Sequence, residues 1–374
     1  MEQMQKKLGF GMMRLPMQDG HVDHEQVCQM VDAFMDAGFC YFDTARGYLD
    51  GMSEKAVKAC VADRYPRERF LLTDKLSENF FQKEEDIRPL FENQLKDCGV
   101  EYFDYYLMHA QGAENYGKYK ACHAYETAFA LKAEGKIRHV GLSFHDTAEM
   151  LEKILQENPD VEVVQLQFNY ADYDDPAIQS RQCYEVCQRY GKPVIVMEPV
   201  KGGHLVKLPE EALNVLNSLN GGSPASYAVR FAAGFPENIM VLSGMSSLEQ
   251  MLDNISYMKD FQPLNEKEQE AIQKVRTILK CQSAIACTAC RYCVAGCPQN
   301  IAIPDIFATM NAHRLFHDWN AKFYYETVHT APGRRASDCI ACGKCEKICP
   351  QHLPIRQLLK DVAQAFETKK EDEN

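Results

Sequence analysis

The sequence predicts an α/β fold: a (β/α)8 TIM barrel followed by a small, mainly α-helical C-terminal domain. Three observations predict it. From residue 8 to about 265 one rhythm recurs, a short apolar strand, a turn and an amphipathic helix. The rhythm recurs about eight times in roughly 250 residues, the number and length that close a barrel. Beyond residue 280 the composition changes, and two cysteine quartets follow.

The strand candidates are 39–44, 69–75, 102–109, 138–144, 162–169, 192–198, 238–244 and 259–264. Most are rich in Val, Ile, Phe and Tyr, as strands are. Helical periodicity falls near 24–37, 53–63, 84–97, 118–134, 147–157, 177–190, 223–233 and 247–257. Strands that alternate with helices of ten or more residues imply parallel pairing through crossovers. A doubly wound open sheet is the competing arrangement, but no G-x-G-x-x-G follows the first strand to support it. The opening LGFGMMRLPMQDG reads as a hairpin that plugs the barrel's N-terminal end. Residues 263–280 read as a helix leading out of the barrel, IPDIFATMNAHRLF as a helix between the quartets, and LPIRQLLKDVAQAFETKKEDEN as a helix fraying into a charged tail. The expected division is 1–265 for the barrel, and 266–374 for a linker helix with the cysteine-rich domain.

Bulk properties exclude some classes. The net charge of −12 argues against nucleic-acid binding, which needs phosphate-neutralising Lys and Arg. No apolar run reaches the ~20 residues of a membrane span. The start, MEQMQKKLGF, lacks the apolar stretch of a secretory signal, so the expected location is the cytoplasm. Sixteen cysteines in so long a chain point to reduced thiols or metal ligands rather than a disulfide framework. Eight of them fall in the quartets; Cys28, Cys40, Cys60, Cys98, Cys122, Cys183, Cys187 and Cys281 are scattered. Cys183 and Cys187 lie four apart on a helix and read as small buried residues.

The quartets are CTACRYCVAGCP, from Cys287, and CIACGKCEKICP, from Cys339. Each is C-x2-C-x2-C-x3-C-P, the bacterial ferredoxin spacing in which the fourth cysteine ligates the other cluster. Swapped ligation would give Cys287, Cys290, Cys293 and Cys349 to one [4Fe-4S] cluster, and Cys339, Cys342, Cys345 and Cys297 to the second. Zinc is the alternative, but zinc ribbons pair two C-x2-C knuckles instead. The segment resembles the dicluster ferredoxins, which makes the C-terminal domain ferredoxin-like. The 41 residues between Cys297 and Cys339 fit the helical type of that family better than the compact hairpin type.

Barrel enzymes place their chemistry at the C-terminal ends of the strands. There the first three candidate strands carry Asp43, Tyr48, Lys75 and His109. A free phenol titrates near ~10 and is a poor acid at neutral pH. A nearby ammonium stabilises the phenolate and lowers that value. A carboxylate orients the ammonium, and an imidazole positions a bound carbonyl. On these residues, and on GLSFH, VVQLQFNY, VMEPVKGG and VLSGMSSLEQMLDNI, the barrel resembles the aldo/keto reductases over residues 8 to about 265.

The resemblance implies a tetrad: Tyr48 as acid/base, Lys75 tuning it, Asp43 orienting Lys75, and His109 orienting substrate. It further implies that Ser143 and Gln165 hold the nicotinamide amide. Phe144 stands where the family has Asn, with His145 next along as a replacement. Met197 stands where an aromatic ring stacks on the nicotinamide. Gly202 and Gly203 admit the pyrophosphate, and Asn254 meets the adenine. Gly244 and Gln250 occupy the places of the basic residues that select a 2′-phosphate, which leaves NADH and NADPH both open.

The expected function is an NAD(P)H-dependent oxidoreductase that interconverts a carbonyl and an alcohol, with two [4Fe-4S] clusters for electron transfer or structure. Expected partners are the small-molecule substrate and a redox partner protein, with no nucleic acid and no membrane. The alternative is an electron-transfer or redox-sensing protein whose barrel has been repurposed.

Overall fold

The computed structural model describes residues 6–219, 221–281, 285–316, 319–330 and 334–367. Its barrel strands are β1 (Leu8–Gly11), β2 (Tyr41–Asp43), β3 (Leu71–Leu76), β4 (Phe103–Gln111), β5 (Ile137–Phe144), β6 (Val163–Gln167), β7 (Val194–Met197) and β8 (Asn238–Ser243). All pairings are parallel, and β1 joins β8 on one side and β2 on the other, which closes the barrel.

Seven strands lie where the sequence places them. The eighth does not. Residues 259–264 form a turn, and Leu264 drops into a side cluster with Tyr170 and Leu205. The closing strand is instead β1, inside the opening segment read as a plug. A four-residue strand with two glycines carries little strand propensity of its own. Its neighbours impose the strand: Gly9 pairs with both Tyr41 and Leu242. A Cβ on Gly9 would stand 2.7 Å from the Leu242 side chain, so glycine fits this seam. A hairpin does follow, Met17–Gln18 with His21–Val22, turning through Asp19 and Gly20 at positive φ.

Strand side chains alternate with period two. Tyr41, Leu71, Tyr105, Leu107, Val163, Ile195, Met240 and Leu242 fill the barrel's interior. The alternate positions, such as Phe42, Leu72, Tyr106, Val140 and Val196, pack in the main core with the surrounding helices. Both faces are therefore buried, as in parallel sheets generally. Helices begin where Asp23, Thr147, Ser223 and Ser247 accept a backbone N–H three residues on. The helix expected at 118–134 is broken into Tyr116–Ala121 and Ala124–Ala133 by His123 in the left-handed region. Glu210–Asn217 is a helix that the periodicity did not single out.

Glu266–Cys281 packs its Ile272, Val275 and Leu279 into one cluster with Ala212 and Leu216 of that helix. Arg230 clamps Glu268 with two bonds of 2.8 Å. Beyond it, short helices Tyr292–Ala295 and Lys344–Ile348 carry the quartets. Ile303–Phe316 and Ile355–Phe366 pack beneath them, around Ile303, Ile306, Phe307, Leu359 and Val362.

Gly141 of β5 points inward. A Cβ there would lie 2.5 Å from both the carbonyl oxygen and a side-chain methyl of Val163. Gly141→Ala is expected to push β5 from β6 and to destabilise the chain by about 1–3 kcal/mol, read as a lowered Tm in thermal unfolding.

Candidate active site and cysteine-lined cavities

The same alternation builds the site. Two residues beyond the last interior layer, the inward positions are Asp43 on β2, Lys75 on β3, His109 on β4, Ser143 on β5, Gln165 on β6 and Met197 on β7. They rise at one rim because every strand runs the same way. Above them lies a cavity of about 1220 Å3. That exceeds the roughly 300–1,000 Å3 of a drug-sized pocket, so it has room for a ligand larger than a drug-sized molecule.

Lys75 is wholly buried, behind Asp43 and Tyr48 of the cavity lining. Its Nζ donates to Asp43 Oδ1 at 2.6 Å, to the Thr44 carbonyl at 2.7 Å and to Tyr48 Oη at 3.2 Å. All three ammonium protons are thus engaged. Burial opposes the charge, but Asp43 and Tyr48 outweigh it and hold the ammonium above its ordinary range. Burial pushes the Tyr48 phenol up, while Lys75 draws it back. The net direction is upward, contrary to the lowering expected from the ammonium alone, because depth in the pocket is the larger effect. Gln165 donates to the second Asp43 oxygen at 3.1 Å, which fixes both carboxylate oxygens.

His109 stands edge-on to Tyr48, with ring centres 5.9 Å apart. Burial first, then the Lys75 charge, hold its imidazole well below the usual titration range, so it is neutral. Ser77 Oγ lies 2.5 Å from His109 Nδ1 and orients the ring. Neither Ser77 nor this bond was visible in the sequence, where a serine after a strand is unremarked.

The cofactor candidates divide. Gln165, Met197, Gly202, Gly203, Gly244, Gln250 and Asn254 line the cavity with Asp43, Tyr48 and His109. Ser143 does not: it is 1% exposed and accepts from the Ala110 N–H at 2.7 Å. Phe144 is packed in the core, and His145 takes the place on the wall. Gly202 and Gly203 have φ of 62° and 96°, a turn that suits glycine. The turn is anchored by Lys201, buried and paired with Asp172 at 2.6 Å, which Gln167 and Asn169 also hold. Asn254 is 4% exposed, and its Oδ1 has no partner among the described residues, so a donor from a bound group fits there. Arg14, passed over in the sequence, ion-pairs with Glu198 at 3.2 Å and borders both Gly202 and Gly244. Only the closing of β1 into the barrel brings it there.

The cysteines gather in two separate spaces. Cys287, Cys290, Cys293 and Cys349 line one, and Cys297, Cys339, Cys342 and Cys345 line the other. Each fourth cysteine has crossed to the opposite trio. None of the sixteen cysteines is joined in a disulfide. Among the described residues no three His, Cys, Asp or Glu converge closely enough to hold a single ion. Sulfurs spread around the walls of a space suit a polynuclear group instead. Apolar side chains also line them, Phe307, Leu353 and Ile355 in one and Ile301, Ile303 and Leu359 in the other, with Thr288, Arg291 and Gln351 at the first and Gln299 at the second. The backbone repeats too: Ala289, Arg291 and Asn300 have positive φ in the first half, and Ala341, Gly343 and His352 in the second. Burial pushes the Cys293 thiol up to about 11, so iron's charge is what would keep it ionised.

Barrel, cavity and paired cysteine spaces define a class: an oxidoreductase barrel joined to an iron–sulfur domain. The chain belongs to the aldo/keto reductase family, whose family model matches residues 7–277, and residues 286–354 match the 4Fe-4S dicluster domain. It is 27% identical over 234 residues to a 9,11-endoperoxide prostaglandin H2 reductase of Trypanosoma cruzi, covering 60% of this chain and 73% of that one. It is 24% identical over 278 residues to mouse aldo-keto reductase family 1 member A1, covering 67% and 82%. Its fold matches an aldo-keto reductase of Klebsiella pneumoniae in complex with NADPH at a TM-score of 0.60 and 22% identity, over 72% of this chain and 90% of that one. The holo form of an aldo-keto reductase of Bacillus halodurans matches at 0.60 and 23%, over 72% and 91%. Among the described residues no helix is long and apolar enough to cross a membrane.

Ligation by the sets that line the two spaces would have a distinctive consequence. Cys349→Ser is expected to empty the space that holds Cys287, Cys290 and Cys293, lowering iron from about eight to about four atoms per chain while the cluster nearer to it in sequence persists. Iron and sulfide analysis under anaerobic conditions reads the outcome.

Proposed function

We propose that this chain interconverts a carbonyl compound and an alcohol with NAD(P)H, and carries two [4Fe-4S] clusters. One observation carries the catalytic part: a buried ammonium bonded at once to a carboxylate and to a phenol, beside a neutral imidazole, at the lining of one large cavity. Bound nicotinamide would supply hydride to the carbonyl carbon. Tyr48 gives its proton to the carbonyl oxygen, and solvent later restores it, so the carbonyl gains one hydride and one proton. Lys75 stabilises the phenolate left behind. Asp43, held by Gln165, keeps Lys75 charged. His109, neutral and oriented by Ser77, offers a hydrogen bond to the carbonyl oxygen.

Gln165, Met197, Gly202, Gly203 and Asn254 are the proposed cofactor contacts, with Ser143 behind them. The named NADPH complex of the Klebsiella relative supports the nucleotide class. Gly244 and Gln250 bring no charge; the Lys and Arg residues lining the cavity among the described residues are Lys207 and Arg14, the latter paired with Glu198.

The eight quartet cysteines are the proposed cluster ligands, in the crossed sets that line the two spaces. The large apolar side chains of Tyr292, Ile340 and Ile348 lie open beside quartet cysteines. This favours electron exchange with a redox partner protein over a purely structural role. The scattered cysteines, none of them joined in a disulfide, favour the cytoplasm, where cysteines stay reduced. The complete set of contacts around Lys75 speaks against a barrel that has lost its chemistry.

The test is NADH and NADPH oxidation by anaerobically purified holoprotein against a panel of carbonyls. Turnover with neither nucleotide would overturn the reading. Tyr48→Phe is expected to lower kcat by about 10²–10⁴-fold with the visible cluster spectrum unchanged. Lys75→Met removes the charge that draws the phenol's pKa down, so that pKa rises further. The alkaline fall in carbonyl reduction should then move to higher pH, and alcohol oxidation, which needs the phenolate, should weaken at a given pH. Profiles of kcat/KM against pH in both directions measure it.

A further inference from the structure

Two of the scattered cysteines meet between helices of the outer ring, and neither lines the cavity. Cys28 lies in helix His24–Asp36. Cys60 lies in the wide helical turn Lys58–Ala62, which extends helix Met52–Val57. Widened turns of this kind recur at functional positions. Arg64 holds the two backbones side by side: one of its guanidinium nitrogens donates to the Cys28 carbonyl and to the Cys60 carbonyl, at 3.4 Å each. The two thiols hydrogen-bond to each other. Cys60 Sγ also lies 3.6 Å from both Nδ1 and the carbonyl oxygen of His24. His24 and Cys28 are four apart on one helix, so the imidazole and both thiols share a face.

The pair is asymmetric. Cys60 is wholly buried, whereas Cys28 is half-buried and His24 is exposed. Burial first, then the hydrogen bond with Cys28, push the Cys60 thiol up, so it stays protonated. The Arg64 guanidinium interacts with the Cys28 sulfur as well as with Asp32, its ion-pair partner at 2.8 Å. A partly open thiol with a guanidinium and an imidazole at hand, and a second thiol against it, has the surroundings of a reactive cysteine. Cys98 is the contrast. It is buried, and its thiol faces the Asp74 carboxylate at 3.8 Å, a neighbour of the wrong sign.

We propose that Cys28 and Cys60 are a redox-active dithiol, a modification site at which a low-molecular-weight disulfide such as oxidised glutathione closes a Cys28–Cys60 bridge. Cys28, as the thiolate, attacks one sulfur of the oxidant and displaces one glutathione. Cys60 then attacks the Cys28 sulfur of the mixed disulfide, its proton passing to His24 Nδ1, and the second glutathione leaves. Two protein thiols give up two electrons and two protons, and the oxidant becomes two thiols. The bridge ties helix His24–Asp36 to the helix that follows Tyr48, so the closed loop of chain contains Asp43 and Tyr48. The site stands whether or not the barrel reduces carbonyls.

Iron-replete holoprotein is equilibrated anaerobically in glutathione buffers of graded potential, quenched in acid, alkylated in denaturant and mapped by mass spectrometry. A linked Cys28–Cys60 peptide is expected to appear with a single midpoint and to vanish on return to reduced glutathione, with Cys98 alkylated throughout. Cys60→Ser should trap a glutathione adduct on Cys28, whereas Cys28→Ser should leave Cys60 unmodified. His24→Ala should slow closure of the bridge about tenfold or more. The proposal is overturned if no linked peptide forms at the most oxidising potential, if Cys98 is oxidised as readily, or if folded Cys60→Ser carries no adduct. Should the serine variants fail to fold, the linked peptide in the parent decides alone.

Discussion

Everything at the barrel's mouth depends on one buried charge. Lys75 sits on an inward strand position with no access to water, where an unpaired ammonium would cost several kcal/mol. The site meets that cost by using each of its protons: a carboxylate, a backbone carbonyl and a phenol. The same three bonds that make the charge tolerable aim it at the group it tunes. Asp43 is held in turn by Gln165 from across the barrel, so a strand far away in sequence helps set the position of the phenol.

The cluster-bearing domain meets this site from above. It is an internally repeated unit, with matching left-handed residues and matching short helices in its two halves, yet the stretch between the halves is not part of the repeat. That stretch buries Tyr324 and His329 against the barrel and presents Phe323 to the cavity. Two domains with separate chemistries thus share one wall. Hydride moves two electrons at once and a cluster moves one, so the shared wall offers contact between the halves without requiring direct exchange between them.

Much of this was legible in the chain. Seven barrel strands, the tetrad Asp43, Tyr48, Lys75 and His109, and the two cysteine quartets all carry local signals: β-rich runs, polar residues at strand ends, and a fixed spacing. The eighth strand was not legible, because Leu8–Gly11 has two glycines and owes its conformation to partners at Tyr41 and Leu242. Residues 259–264, the weakest of the eight strand candidates, had no strand edge left to pair with, since β1 already joins β8 to β2. The single helix expected across 118–134 failed at His123 for a local reason, a left-handed residue. Ser143 was read as a cofactor contact, but it does not line the cavity and its hydroxyl accepts from the Ala110 N–H.

By itself, then, the order of residues determined a periodicity that says which side chains face inward, and a cysteine spacing that says which thiols could share a group. It could not determine what lies above the rim. Arg14 beside Gly244, Ser77 on His109 and Phe323 beside His145 are contacts between segments far apart in sequence or on different elements. No local pattern encodes them, because they exist only once the barrel has closed and the second domain has come to rest on it.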